Sequence, residues 1–172
     1  NPDWYGTFSS TFYGGDLQGV QEKLDYLQAL GVTTIYFNPI FDSPSNHRYD
    51  TADYTVIDPD LGTLADFQAL VAAAKDHGIR LILDGVFNHV SSDSPWFDRM
   101  QRFAEIGACE SADAPTRDWF VFRKPGPGEP SPCAPSTPGG EDTYYQGWFG
   151  FDTIPEVAET PAFTNLIVGE DG

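Results

Sequence analysis

Apolar residues recur at helical spacing over Leu17, Val20, Leu24, Leu27 and Leu30, with Gln18, Glu22 and Lys23 between them. The pattern predicts one amphipathic helix of about 14 residues. Asp16 stands at its N-cap and Gly31 closes it. Val32–Phe37 follows as a continuous β-branched run, which reads as a buried strand stopped by Asn38-Pro39. The same order then repeats. Thr63 and Asp66 have the spacing of a capping box. Leu64, Phe67, Leu70, Val71 and Ala74 make a second amphipathic helix ending near His77-Gly78. Ile79–Leu83 is a second buried strand and runs into Asp84-Gly85-Val86-Phe87-Asn88-His89.

Strands alternating with helices predict an α/β fold with a parallel sheet and right-handed crossovers. Strands apolar on both faces need helices on both sides or a closed barrel. Two strands make neither, so the chain is expected to be a piece of a larger α/β domain. The segment from Pro39 to Gly62 reads as a long polar and aromatic loop; loops of that length in compact domains are usually functional or disordered, and the aromatics argue against disorder. From Ser91 the helical period stops. Residues 91–157 are expected to form a small inserted subdomain after a first part at 1–90. Within it, Asp118–Phe122 reads as a short strand, Lys124–Gly140 as a Pro/Gly/Ser loop and Tyr144–Asp152 as an aromatic cluster. Residues 158–172 are expected to begin a return to the larger fold.

Charge narrows the partners. The 172 residues include 26 acidic and 9 basic side chains, a formal net charge of −17 without a Lys/Arg cluster. Such a chain repels a phosphate backbone, which argues against nucleic acid and anionic membrane surfaces. Neutral sugars and divalent cations are compatible with this sign. No apolar run approaches the roughly 18 residues of a membrane span. Cys109 and Cys133 lie in a Gly/Pro/Ser-rich stretch. They form either a disulfide, which implies an oxidising compartment, or two free thiols.

Ligands of parallel α/β sheets and barrels bind at the C-terminal ends of strands. Asn38 lies just past the first strand, and Asp84, Asn88 and His89 just past the second. A carboxylate at the end of an Ile/Leu strand is costly to bury without a partner, and no Lys or Arg is obviously placed to serve Asp84. Asp84 either caps a turn or belongs to a site. His89 either packs structurally or bonds a substrate hydroxyl or metal. Asn88 either holds the turn or binds a cation. Tyr49, Tyr54, Trp148, Phe149 and Phe151 offer flat faces of the kind sugars stack on. For Phe151 sealing the subdomain is the preferred reading, and for Tyr49 function is. Asp16 and the Gly14 carbonyl are candidate calcium ligands, although Asp16 equally serves as a helix cap.

Four stretches occur in order: Phe12-Tyr13-Gly14-Gly15-Asp16-Leu17, Tyr36-Phe37-Asn38-Pro39-Ile40-Phe41, Ser45-Asn46-His47-Arg48-Tyr49-Asp50-Thr51-Ala52-Asp53-Tyr54 and Asp84-Gly85-Val86-Phe87-Asn88-His89. Together they resemble the alpha-amylase family of glycoside hydrolases, in particular its neopullulanase, cyclomaltodextrinase and amylopullulanase branch. Gly147-Trp148-Phe149-Gly150-Phe151-Asp152 resembles the end of that family's inserted domain B.

The resemblance implies a partial (β/α)8 TIM barrel, with the two strands corresponding to its second and third, and a secreted, starch-active enzyme. It implies that His89 binds the sugar at the cleaved position, that Tyr49 stacks on that sugar, and that Asp84 orients an Arg from the fourth barrel strand. His47, Asn88 and Trp148 complete the implied substrate-binding set. Calcium is an implied cofactor, held in this branch with the help of residues matching Gly14 to Asp16, with further ligands upstream, so the site is expected to be incomplete here.

The family is retaining, with a carboxylate nucleophile and a carboxylic acid/base about 5 Å apart. These sit on the fourth and fifth strands, and the chain contains no Gly-x-Arg-x-x-Asp stretch. The isolated chain is therefore expected to be inactive and to need the remainder of the barrel. A transglycosylase or isomerase of the same family is the nearest alternative. A non-catalytic carbohydrate-binding relative is a third, disfavoured by the joint presence of Tyr49, Asp84, Asn88 and His89.

Overall fold

A computed structural model describes residues 11–123, Cys133 and 144–158. They fall into two compact units that divide between Gly85 and Val86.

The first unit opens with α1 (Leu17–Glu22) and α2 (Leu24–Ala29), where one continuous helix is expected. The break is local. The Lys23 amide turns back to the Val20 carbonyl at 3.0 Å, a tighter turn than the α-helical one, and Leu27 then restarts on the Lys23 carbonyl at 2.9 Å. The Asp16 side chain accepts from Gly19 N at 2.7 Å and so caps α1. Leu17 and Leu24 are buried and Val20 and Leu27 pack against the same core, whereas Leu30 is exposed and leaves the predicted stripe.

Strand β1 (Thr34–Phe37) leads into β2 (Phe41–Asp42), which pairs antiparallel with β3 (Asp53–Ile57). The segment expected to be a structureless loop thus contains a hairpin. Helix α3 (Leu64–Asp76) starts at the predicted capping box, with Asp66 N donating to Thr63 Oγ1 at 3.2 Å and Thr63 N to Asp66 Oδ2 at 2.8 Å. It buries Leu70 and Ala74, while Leu64 and Val71 face out. Gly31 and Gly78 follow the helices at φ 88° and 67°, a backbone region that glycine enters without steric cost.

Strand β4 (Arg80–Leu83) pairs parallel with β1, in register from Thr34↔Arg80 to Phe37↔Leu83. The predicted parallel pair is present, but its two faces differ. Ile35, Phe37, Leu81 and Leu83 pack on a core of Leu17, Leu24, Ile40, Ile57, Leu70, Ala74 and Ile79. Tyr36 and its register partner Ile82 are exposed on the other face, so the expected burial of both faces is not met among the described residues. Full burial of a side chain such as Leu70 stabilises by about 1.5–3 kcal/mol. The core of this unit is therefore built on one side of the strand pair.

The second unit has little regular structure. A 3₁₀ turn covers Arg117–Trp119 where the start of a strand is expected, and the strand begins later, as β5 (Phe122–Arg123), antiparallel to β6 (Tyr144–Tyr145). Its core is aromatic. Phe97 is fully buried, with the Phe120 and Tyr145 rings edge-on to it at 4.9 and 4.5 Å and Phe122 stacked at 6.0 Å. Arg117 lies over the Phe122 ring at 3.3 Å and donates to the Ala108 carbonyl at 2.8 Å. Cys109 and Cys133 form a disulfide, both buried. The predicted loop over Lys124–Gly140, apart from Cys133, and the return segment after Ala158 lie outside the described residues. No helix among the described residues is long and apolar enough to cross a membrane.

Candidate active site

Asp84 stands one residue past β4, and its amide continues the parallel ladder by donating to the Phe37 carbonyl at 3.1 Å. The strand alternation fixes where its side chain emerges. Ile82 and Asp84 share a face, and Ile82 is the register partner of Tyr36. Asp84 lies near enough to the Tyr36 and Tyr49 phenols to raise both above their ordinary value. The hydrogen bond to Asp84, ahead of desolvation, pushes the Tyr36 phenol above its ordinary value. Desolvation first, and then the Asp84 bond, pushes up Tyr49.

Tyr49 comes from the segment between β2 and β3, and its neighbours hold it there. Arg48 adopts φ 60°, an uncommon conformation for a side-chain-bearing residue. Its guanidinium takes the buried Asp58 carboxylate bidentately, Nε to Oδ2 at 2.7 Å and Nη2 to Oδ1 at 3.2 Å, and also donates to the Asn46 carbonyl at 3.1 Å. Asp58 N donates to the Ile40 carbonyl at 3.0 Å, which ties this anchor to the strand core. On the other side of Tyr49, the buried Asp50 accepts from Ser43 Oγ at 2.8 Å and from Ser45 Oγ. His47 is exposed. Its Nδ1 lies 3.0 Å from Ser45 Oγ and accepts from Tyr49 N at 3.1 Å, so this ring braces the turn that carries Tyr49. The result is a Tyr49 ring that is 39% exposed on a segment pinned at both ends.

Tyr54, grouped with the sugar-stacking aromatics from sequence, belongs to the packing. Its ring meets Phe41 at 5.7 Å, and burial pushes its phenol up to about 12.

In the second unit His89 is 6% exposed and stacks on Trp148, with centroids 6.0 Å apart and planes at 27°. Asn88 Nδ2 lies 2.8 Å from His89 Nδ1. Val157 N donates to the Asn88 carbonyl at 3.0 Å, and His89 bridges to Glu156, so residues 88–90 are held against 155–157. Trp148 sits on a 3₁₀ turn, Trp148–Gly150, in which Phe149 has φ 53° and is 84% exposed. Phe151 is exposed too and does not seal the unit, because the turn directs the chain outward before Ile154 returns to pair with Trp148 N at 2.9 Å.

Gly14 and Asp16 do not by themselves fit a calcium site. Asp16 already serves as the cap of α1, and calcium takes six to eight oxygens. Among the described residues no three His, Cys, Asp or Glu side chains gather to hold a metal.

The family model described as "Alpha amylase, catalytic domain" matches residues 3–149. The chain belongs to the alpha-amylase family. An amylopullulanase of Thermoanaerobacter thermohydrosulfuricus is 47% identical over 163 residues, covering 90% of this chain and 10% of that protein. Among solved structures, a cyclic alpha-maltosyl-(1→6)-maltose hydrolase from Arthrobacter globiformis superposes with TM-score 0.72 at 34% identity, over 91% of this chain and 32% of that one. The trehalulose synthase MutB from Pseudomonas mesoacidophila MX-45 superposes with TM-score 0.73 at 32% identity, over 89% of this chain and 28% of that one. The chain thus spans about a tenth of that curated relative and under a third of those structures. Such likeness to alpha-amylase family enzymes agrees with a partial (β/α)8 fold.

Within this alpha-amylase family chain, sequence reading did not single out Tyr36, nor Arg48, Asp50 and Asp58, which hold the segment around Tyr49. Tyr36 was detectable, because a Tyr inside an otherwise apolar strand signals a hydroxyl that needs a partner. Arg48 and Asp58 are ten residues apart and join only when the hairpin folds, so no local spacing announces them.

Proposed function

We propose that this chain forms part of the catalytic domain of a retaining glycoside hydrolase acting on α-1,4-linked glucans such as starch and maltooligosaccharides, and on α-1,6 links as in pullulan. The observation that carries the reading is Asp84 at the C-terminal tip of a parallel strand, near enough to Tyr36 and Tyr49 to raise both phenols, in a chain of this family.

Tyr49 presents its ring as a platform on which a glucosyl unit stacks. Asp84 orients a cationic side chain from the following part of the barrel. His89 is the group assigned to a glucosyl hydroxyl, and Trp148 and Asn88 keep its ring in place. His47 braces Tyr49. Residues 91–157 correspond to an inserted domain B. Glycosyl transfer with retention needs a nucleophile and an acid/base about 5 Å apart. No Gly-x-Arg-x-x-Asp stretch is present to bring them, so the 172-residue chain by itself does not turn over glucans. The buried disulfide supports an extracellular location. If calcium binds near Gly14 and Asp16, most of its ligands come from elsewhere, and no step depends on it.

A second reading keeps the site and changes the outcome to isomerisation or transglycosylation, and the similarity to a trehalulose synthase favours it. Incubating the full-length protein that carries this segment with maltotriose, pullulan and sucrose, with proton NMR of the first products, separates the two. Release of α-anomeric glucose or maltose supports the hydrolase. Isomerised sucrose with no attack on maltotriose overturns it, and β-anomeric products overturn retention.

A further inference from the structure

We propose that Asp50 is a positioning residue for the reaction: its buried carboxylate orients the Ser45 hydroxyl, which keeps the His47 ring free to accept the Tyr49 amide and so sets where the Tyr49 ring stands. Asp50 itself does not touch substrate. The proposal rests on the reading of Tyr49 as a platform for a glucosyl unit.

Loop closure supplies the first argument. Strands β2 and β3 meet at the Asp42↔Asp53 pair, and the Ala52 amide donates to the Asp42 carbonyl at 2.8 Å. Residues 43–51 therefore form a closed loop, and Tyr49 lies on it. Asp50 is 8% exposed, and its Oδ1 accepts from Ser43 Oγ at 2.8 Å and from Ser45 Oγ. The carboxylate thus ties the arm of the loop before Tyr49 to the arm after it. Burying a carboxylate is costly unless it is hydrogen-bonded, and among the described residues no Lys or Arg pairs with this one. The two hydroxyl bonds offset that cost, and the loop keeps this arrangement.

The second argument counts protons. A hydroxyl has one proton to give, and a neutral imidazole has one nitrogen that accepts. Ser45 gives its proton to Asp50, and its oxygen accepts from Arg48 N at 3.2 Å. His47 Nδ1 accepts from Tyr49 N at 3.1 Å. Ser45 Oγ lies 3.0 Å from that same nitrogen. Without the Asp50 acceptor, the Ser45 proton turns to His47 Nδ1 and competes with the Tyr49 amide for one lone pair. Asp50 therefore decides which donor His47 serves.

The third is a division of labour along the loop. The Arg48–Asp58 clamp, with Asp58 N on the Ile40 carbonyl, fastens the loop as a whole to the strand core. The Asp50 network reaches the backbone of Tyr49 itself, through Ser45 and His47.

The test is made in the full-length protein that carries this segment, with kcat and KM on maltotriose and a thermal melt for each variant. Asp50→Ala is expected to raise KM about tenfold, the worth of about one hydrogen bond to a carboxylate. It is expected to leave kcat within about twofold, since a sugar platform meets ground and transition states alike. Adding Ser45→Ala removes the competing donor and is expected to bring KM back to within about threefold of wild type. A purely structural role gives the opposite, a second loss on top of the first. In a Tyr49→Ala background, Asp50→Ala is expected to raise KM no further. If Asp50→Ala does not fold, His47→Phe at that exposed ring takes its place, with the same rise in KM and the same lack of effect beside Tyr49→Ala. Wild-type KM in folded Asp50→Ala or in His47→Phe overturns the proposal, as does a further loss on adding Ser45→Ala. So do losses that multiply with an impaired Tyr49→Ala, which leave the role of Tyr49 intact. Wild-type KM in Tyr49→Ala overturns that role and the proposal with it.

Discussion

The Arg48 guanidinium closes on the Asp58 carboxylate with two nitrogens, at 2.7 and 3.2 Å, and both side chains are almost wholly withdrawn from solvent. This pair sits between the hairpin and the residue that carries the Tyr49 ring. Removing one partner of a buried pair leaves the other charged and unsatisfied, at a cost of about 3–5 kcal/mol. Arg48→Met is expected to lower stability by that amount, read as a shift in the urea midpoint. Arg48→Lys keeps the charge but not the fork, and is expected to lose about 1.5–3 kcal/mol, the value of one charge-assisted bond.

Gly147 precedes the Trp148 turn, and a Cβ there would overlap the Phe151 carbonyl, whose carbon lies 2.6 Å from that position. The obstacle is backbone and cannot rotate away. Gly147→Ala is expected to cost about 1–3 kcal/mol and to displace Trp148 from His89. Near-UV circular dichroism and tryptophan emission report that displacement, and an unchanged spectrum would show that the turn tolerates the methyl.

The Cys109–Cys133 bridge links residues 24 apart in sequence. Closing a loop of that length contributes about 3 kcal/mol. A reductant, or replacing both cysteines by Ser, is expected to lower the melting temperature of the second unit. A melt insensitive to reductant would contradict the bond.

Stability should depend on pH at two helix ends. The Ala73 carbonyl, and then Asp25, raise His77 above its ordinary value. A raised base stabilises the fold below its unfolded value of about 6.5, and that contribution is lost as pH climbs through the folded value. Asp66 is held low, first by the Thr63 hydroxyl, then by Gln18 and the Thr63 amide. Its contribution is present above its unfolded value of about 3.9 and is lost as pH falls through the folded one. Melts of wild type and His77→Gln at pH 6 and pH 8.5 are expected to converge at the higher pH. A gap that persists would contradict the assignment.

Much of the first unit was legible because its signals are local. The Thr63–Asp66 box, the Asp16 cap, the glycines after both helices and the apolar runs at β1 and β4 each declare themselves within a few residues. The β2–β3 hairpin was not legible, since β2 is two residues long and gives no alternation to detect. The helix break at Lys23 escaped because the apolar period runs on across it. Exposure of Tyr36 and Ile82 is a property of which strands are present, and the composition of β1 and β4 cannot express it. Asp84, Tyr49 and His89 were singled out as candidates from the motifs. The second unit is held by a disulfide and an aromatic cluster around Phe97, and such contacts between distant residues have no sequence period.

The account stands on Asp84 and His89 serving glucan chemistry. The direct measurement is kcat/KM on maltotriose for Asp84→Ala and His89→Ala in the full-length protein that carries this segment, each with a native circular dichroism spectrum. Each is expected to fall by a factor of about 100 or more, as when one preorganised electrostatic group is lost. Folded variants that both retain wild-type turnover would contradict it.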